Sequence, residues 1–179
     1  MTPTILTWSG KSFDFTRPHG GGIDIFTIAH ALSQLCRFTG HTRSFYSVAQ
    51  HSVAVSHLVP AEHALAGLLH DAAEAYIGDV SAPLKMLLPD YKAIERRVEA
   101  AVLAHFGIGP DLHPSIKRAD LIMLATEQVQ LMPVTPDIWS WQDSGDIGPL
   151  DEEIVPLDPV MARRAFMNRF AQLTLRHPT

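Results

Sequence analysis

Apolar residues recur along most of this chain at three- and four-residue intervals, the spacing that lines one side of an α-helix. Ile25, Ile28, Leu32, Leu35 and Cys36 form one such stripe. Asp24 stands before it as an N-cap, which predicts a helix to about Arg37. His30, Ser33, Gln34 and Arg37 share its other face, either a solvated side or the wall of a polar cavity. A second helix is expected over about Ser47–Leu58, and a third from Pro60 to Gly78. Tyr91–Phe106, closed by Gly107, gives a fourth, with Glu95, Arg96, Arg97 and Glu99 read as ordinary surface charges. Ser115 to about Met132 and Leu157–Arg176, the latter opened by Asp158-Pro159, complete the set. Asp79–Leu87 reads as a loop and short helix. Ile5–Trp8 and Ser12–Phe15 flank Ser9-Gly10-Lys11 as a small hairpin. The pattern predicts one mainly α domain over residues 1–179, with about six helices and a marginal N-terminal hairpin. Pro133–Pro156, which includes Trp139 and Trp141, reads as a long excursion that could serve as a lid or a subunit contact.

The informative positions are those where the apolar pattern is broken. In Leu65–Asp79 (LAGLLHDAAEAYIGD), His70, Asp71 and Glu74 fall within one quadrant of a helix, while Leu65, Leu68, Leu69, Ala72, Ala73 and Tyr76 fill the opposite side. Gly67 lies on the polar side and leaves room for a close approach. A helix this apolar is buried, and a buried His-Asp pair needs a compensating partner. His51 sits mid-stripe between Val48 and Val55, and Asp120 sits among Ile116, Leu124 and Leu131. Two imidazoles and two carboxylates suit a divalent cation such as Mn²⁺, Co²⁺, Zn²⁺, Fe²⁺ or Mg²⁺. The bland alternative is a metal-free His/Asp hydrogen-bond network. Lys117, one turn before Asp120, is a candidate for binding an anion.

Four separated segments carry a family resemblance: Arg37-Phe38, VAQHS around His51, HDAAEAYIGD from His70, and KRAD ending at Asp120. Their order resembles the H…HD…D signature of HD-domain metal-dependent phosphohydrolases. The run His70, Asp71, Glu74, Gly78, Asp79, Pro83, Lys85 is similar to that of bacterial and phage HD-domain 5′-deoxynucleotidases and their deoxynucleotide triphosphohydrolase relatives. The resemblance spans Arg37–Asp120 and implies an HD-domain helical bundle. It implies His51, His70, Asp71 and Asp120 as ligands of one divalent ion per subunit. It gives Glu74 and Asp79 acid/base and positioning roles. Arg37 would meet the phosphate, Phe38 the base or sugar, and Pro83 would wall the base pocket. Read from the residues alone, Glu74 could instead hydrogen-bond a ligand histidine, and Asp79 could cap the short helix that follows.

The expected reaction is hydrolysis of a deoxynucleoside monophosphate to the deoxynucleoside and phosphate. The alternatives are release of triphosphate from a dNTP, or a non-catalytic nucleotide-binding or assembly protein. The formal charge of −5 offers no basic footprint, so the expected partner is a small nucleotide and not a nucleic-acid polymer. A single cysteine, Cys36, and no apolar run near the ~20 residues of a membrane span point to a cytoplasmic protein without a membrane partner. His19, His57, His63, His105, His113 and His177 read as surface or packing residues. A homo-oligomer is expected, with the Trp139–Trp141 excursion as contact area. The chain carries no GYP motif, no P-loop and no Rossmann glycine pattern.

Overall fold

The computed structural model of the chain describes residues 2–135 and 147–175. Strands β1 (Thr4–Leu6) and β2 (Ser12–Asp14) pair antiparallel, with Ile5 opposite Phe13. The alternation of a strand turns Phe13 inward, where it is fully buried and stacks on Tyr76 at 4.2 Å between ring centroids. Gly22 has φ +86°, and a Cβ there would meet the Ser12 carbonyl at 2.8 Å, so only glycine lets the chain pass this close to the hairpin. Tyr76 donates from its hydroxyl to the Gly22 carbonyl at 3.3 Å, tying the hairpin and its exit to the central motif.

Helix α1 (Ile25–Gln34) starts at Asp24, whose carboxylate accepts the Thr27 amide at 2.8 Å and the Ser9 hydroxyl at 2.9 Å. It ends three residues earlier than the periodicity predicts. Backbone groups at Leu35 and Arg37 turn to the segment opposite: Val48 N donates to Leu35 O at 3.0 Å and Arg37 N to Tyr46 O at 2.9 Å. Arg37 therefore opens a 3₁₀ turn (Arg37–Gly40) in which Phe38 and Thr39 adopt φ of 54° and 55°. Non-glycine residues rarely enter this left-handed region, and each costs roughly 1 kcal/mol or more.

Helix α2 (Val48–Leu58), capped by Ser47 on the Gln50 amide at 3.2 Å, is the central element and packs against α1, α3, α7 and α8. α8 (Pro159–Leu175) is bolted to it by Arg169, whose Nε and Nη2 donate to Ser56 Oγ and O, each at 2.9 Å. Asp158 caps α8 through the Met161 amide at 2.9 Å, as the sequence indicates. The core is built from Ile28 and Leu32 of α1, Val48 of α2, Leu68 and Leu69, Val102 of α6 (Pro89–His105), and Phe166 of α8. Each such side chain contributes roughly 1.5–3 kcal/mol on burial.

The third predicted helix is broken. α3 (Ala64–Leu69) is preceded by a 3₁₀ turn at Ala61–His63, and α4 (Glu74–Ile77) follows only after four residues of turn. Through that turn the amides reach back three residues, Ala72 to Leu69 at 3.0 Å and Glu74 to Asp71 at 3.0 Å. This tighter winding rotates the His70-Asp71 step away from a uniform helix face. α5 (Ala82–Lys85) is short and exposed, and α7 (Pro114–Leu131) runs along α2. The about six helices of the sequence reading are present, the third of them in two pieces, with α5 as the short helix foreseen after Asp79. Residues 147–157 lie over α2 and α7 through two glutamine amides. Gln50 pairs with Val155 O and Leu157 N, each at 2.8 Å, and Gln130 with Ile154 N at 2.7 Å. Trp139 and Trp141 lie outside the described residues. Among the described residues no helix is long and apolar enough to cross a membrane.

Candidate metal centre

His51 reaches the interior from the middle of α2 and is fully buried. His70 arrives from the turn after α3. Their rings stand 5.4 Å apart. His70 Nδ1 donates to the Gly67 carbonyl at 2.8 Å, and His51 Nδ1 to Glu127 Oε1 at 2.6 Å. In both rings Nδ1 thereby carries a proton, and Nε2 is the nitrogen turned toward the carboxylates. Both Nε2 atoms are buried and have no hydrogen-bond partner. They face carboxylates without hydrogen-bond alignment: His51 Nε2 is 3.3 Å from Asp120 Oδ1 and 3.7 Å from Asp71 Oδ2, and His70 Nε2 is 3.2 Å from Asp71 Oδ2. The donor atoms of His51, His70 and Asp120 all lie within 4.8 Å of one another. Atoms bonded to one ion at about 2.0–2.2 Å sit roughly 3–4 Å apart, so with a small inward adjustment these donors could hold a single divalent cation.

Gly67 serves this arrangement in a way its position on the helix did not announce. A Cβ there would meet Val59 Cγ2 at 3.1 Å and Ser56 Cα at 3.4 Å. The room it leaves is taken by α2, the His51 helix, and not by a ligand.

The carboxylates of the cluster are held ionised by the positive groups around them. Burial opposes ionisation of Asp71, yet His70, His51 and Arg37 hold its carboxyl well below the usual range. Burial likewise opposes charge on Asp120, and His51 and Lys117 overcome it. His51 is pushed up to about 9: burial and Arg37 disfavour its cation, and Glu127 and Asp120 more than reverse this. In the metal-free chain a proton on His51 thus stands where a cation would, and metal binding must displace it.

Glu74 and Asp79 behave in the opposite way. Burial, then Asp71 and Asp79, push the Glu74 acid well above its ordinary value, and its Oε2 is buried without a partner. Burial, with a contribution from Asp71, raises Asp79, although Arg37 and Lys85 pull against it. Lys85 stands 4.0 Å from Glu74 and 2.5 Å from Glu95. Glu95 is therefore not the plain surface charge its place on a polar helix face suggests. Glu99, one turn on, has its acid raised by burial, Glu95 and Asp71.

The remaining predicted residues are spread around the cluster. Arg37 lies 4.0 Å from Asp71, and its guanidinium stands 5.6 Å from the Phe38 ring centroid. Lys117 is largely exposed and donates to Asp120 at 2.8 Å. Pro83 is exposed in the first turn of α5. Clefts of about 330 Å³, between α2 and residues 150–155, and about 350 Å³, beside Trp8 and His30, include none of these residues. Donor chemistry, not cavity size, marks the site.

The residue that sequence reasoning missed is Glu127. It is fully buried on α7, where it accepts from His51 and from Arg37 Nε and Nη2 at 3.2 and 3.0 Å. Seven residues, or nearly two turns, separate it from Asp120, so it shares that residue's apolar stripe. The same signal that marked Asp120 could have found it.

Among known proteins, YfdR of Escherichia coli K12 is 43% identical over 178 residues, covering 95% of each chain. The chain belongs to the YfdR family. A second relative, from Rhodobacter capsulatus, is 37% identical over 121 residues, covering 62% of each chain. Both YfdR and this relative are named only as uncharacterized proteins. No protein-family model matches the chain. Membership of the YfdR family leaves the activity to be argued from the site.

Proposed function

We propose that the chain is a divalent-metal-dependent phosphohydrolase of the HD-domain type, acting on deoxynucleoside monophosphates to give the deoxynucleoside and phosphate. The observation that carries this reading is the pair of buried, unpartnered Nε2 atoms of His51 and His70, facing Asp71 and Asp120. A bound Mn²⁺, Co²⁺, Zn²⁺, Fe²⁺ or Mg²⁺ supplies Lewis-acid polarisation and a water of lowered pKa. Arg37, beside Asp71, is the cation placed to receive a phosphate oxygen. Glu74, whose acid is raised by its surroundings, would serve as the general acid that protonates the leaving 5′-oxygen. Asp79, raised mainly by burial, would assist in positioning, and Phe38 and Pro83 would contact the nucleoside.

The charge distribution supports monophosphate over triphosphate. Arg37 is already committed to Glu127, Lys85 to Glu95, and Lys117 to Asp120. A triphosphate brings about four negative charges at neutral pH, given a terminal phosphate pKa near 6. Little uncommitted positive charge faces it among the described residues.

Phosphate release from a panel of dNMPs, with Mn²⁺ or Co²⁺ against EDTA, tests the proposal. Metal-dependent inorganic phosphate supports it, and tripolyphosphate from dATP shifts it to the triphosphohydrolase reading. Tight nucleotide binding with no turnover replaces it with the non-catalytic binding protein.

A further inference from the structure

Glu127 touches two groups that the proposed function uses separately. Its Oε1 takes the His51 Nδ1 proton at 2.6 Å, and its Oε2 takes both Nε and Nη2 of Arg37 at 3.2 and 3.0 Å. Both partners come from elements distant in sequence, the centre of α2 and the strained turn after α1. The residue is fully buried, and Tyr46, itself 1% exposed, feels its charge.

A buried carboxylate between two cations could be no more than an internal ion pair that anchors residues 37–40. The geometry says more. With Oε1 holding the proton on Nδ1, His51 can present only Nε2 to Asp71, Asp120 and His70, and its ring is fixed in the plane that does so. With Oε2 occupying Nε and Nη2, Arg37 keeps Nη1 as its outward group, 4.0 Å from Asp71. One carboxylate therefore aims a cation ligand and an anion donor at the same point.

We infer that Glu127 is a positioning residue for both halves of the site, holding His51 in the tautomer that faces a divalent cation and Arg37 in the orientation that faces a phosphate. Cation and anion binding then both depend on this one side chain. The inference rests on the metal reading above.

The test uses the full chain and calorimetric titration with Mn²⁺, then with inorganic phosphate on the Mn²⁺-loaded protein. Glu127→Gln, whose single amide oxygen cannot accept from both His51 and Arg37 as the carboxylate does, lowers Mn²⁺ affinity by about 10–100-fold, the range seen when the partner of a ligand histidine is mutated, and weakens phosphate binding as well. Arg37→Met weakens phosphate binding and leaves Mn²⁺ affinity within about threefold, since His51 keeps its partner. Glu127→Gln that folds and binds Mn²⁺ like wild type overturns the inference and leaves the metal reading intact. Wild type that binds no Mn²⁺ overturns both. Should Glu127→Gln fail to fold, NMR of the Zn²⁺-loaded wild-type chain with ¹⁵N-labelled histidine decides. The His51 proton is expected on Nδ1, slowly exchanging and far downfield; a proton on Nε2 overturns the inference.

Discussion

Glu74 and Glu127 are two buried carboxylates beside the same histidine–aspartate cluster, and their surroundings shift their acids in opposite directions. Glu127 lies between Arg37 and His51, and although burial alone would raise its acid, those two cations hold it below its ordinary value. Glu74 is favoured as an anion by Arg37 and by Lys85, the latter 4.0 Å away and shared with Glu95, but burial, Asp71 and Asp79 outweigh them. Burial is similar at the two sites, 8% and 0% exposed, so the partners decide the outcome. A carboxylate that stays ionised can hold other groups in place. One that keeps its proton is fitted to give it away.

The largest effect expected from this contrast is on turnover. Glu74→Gln removes the transferable proton and leaves the four predicted ligands untouched. Its kcat should fall by roughly two to four orders of magnitude at unchanged bound Mn²⁺. Near-normal turnover would place the acid/base role on Asp79. Loss of metal would instead make Glu74 a support for the ligands.

Next in size is the effect of Glu127→Gln on folding. Neutralising the carboxylate takes from buried Arg37 its nearest counter-charge, and breaking such a pair from one side costs up to about 3–5 kcal/mol. Urea unfolding in EDTA should show this as a lower midpoint at unchanged slope. A double-mutant cycle with Arg37→Met then isolates the pair. A coupling of about 1–3 kcal/mol is expected, and a value near zero would mean that Arg37 and Glu127 are each stabilised by other contacts.

The same contrast shows what a reader of the sequence can and cannot reach. His51, His70 and Asp120, whose donor atoms the fold brings together, could be picked out in the sequence because each interrupts an apolar stripe, a local signal. Glu127 gives that signal too, but its meaning depends on Arg37, 90 residues away, and on His51, 76 residues away. Arg37 itself left the predicted helix because its amide pairs with Tyr46, a contact that no helical periodicity reports. The break between α3 and α4 was hidden for a different reason. His70 and Ala73 keep right-handed helical dihedrals, and only the shift to three-residue hydrogen bonds turns the HD step toward His51. Glu95 looked like surface charge because its partner, Lys85, belongs to an element that packs sideways onto α6.

The smallest expected effect separates the two glutamates by sign. A carboxyl whose acid is raised on folding binds its proton more tightly in the folded chain. Stability is then fully present below the unfolded value of about 4.3 and falls as pH rises from there through the folded value. Glu74 is of this kind. Glu127 is of the other kind: its contribution is present above the unfolded value and is lost as pH falls through the lower folded one. Glu74→Gln abolishes the first dependence because the amide does not titrate. In EDTA the variant should match wild type near pH 4 and exceed it at pH 7, by on the order of 1 kcal/mol. Urea midpoints at the two pH values measure the difference directly. A variant less stable than wild type at pH 7 would mean that Glu74 is ionised and compensated in the metal-free chain, and the contrast with Glu127 would fail.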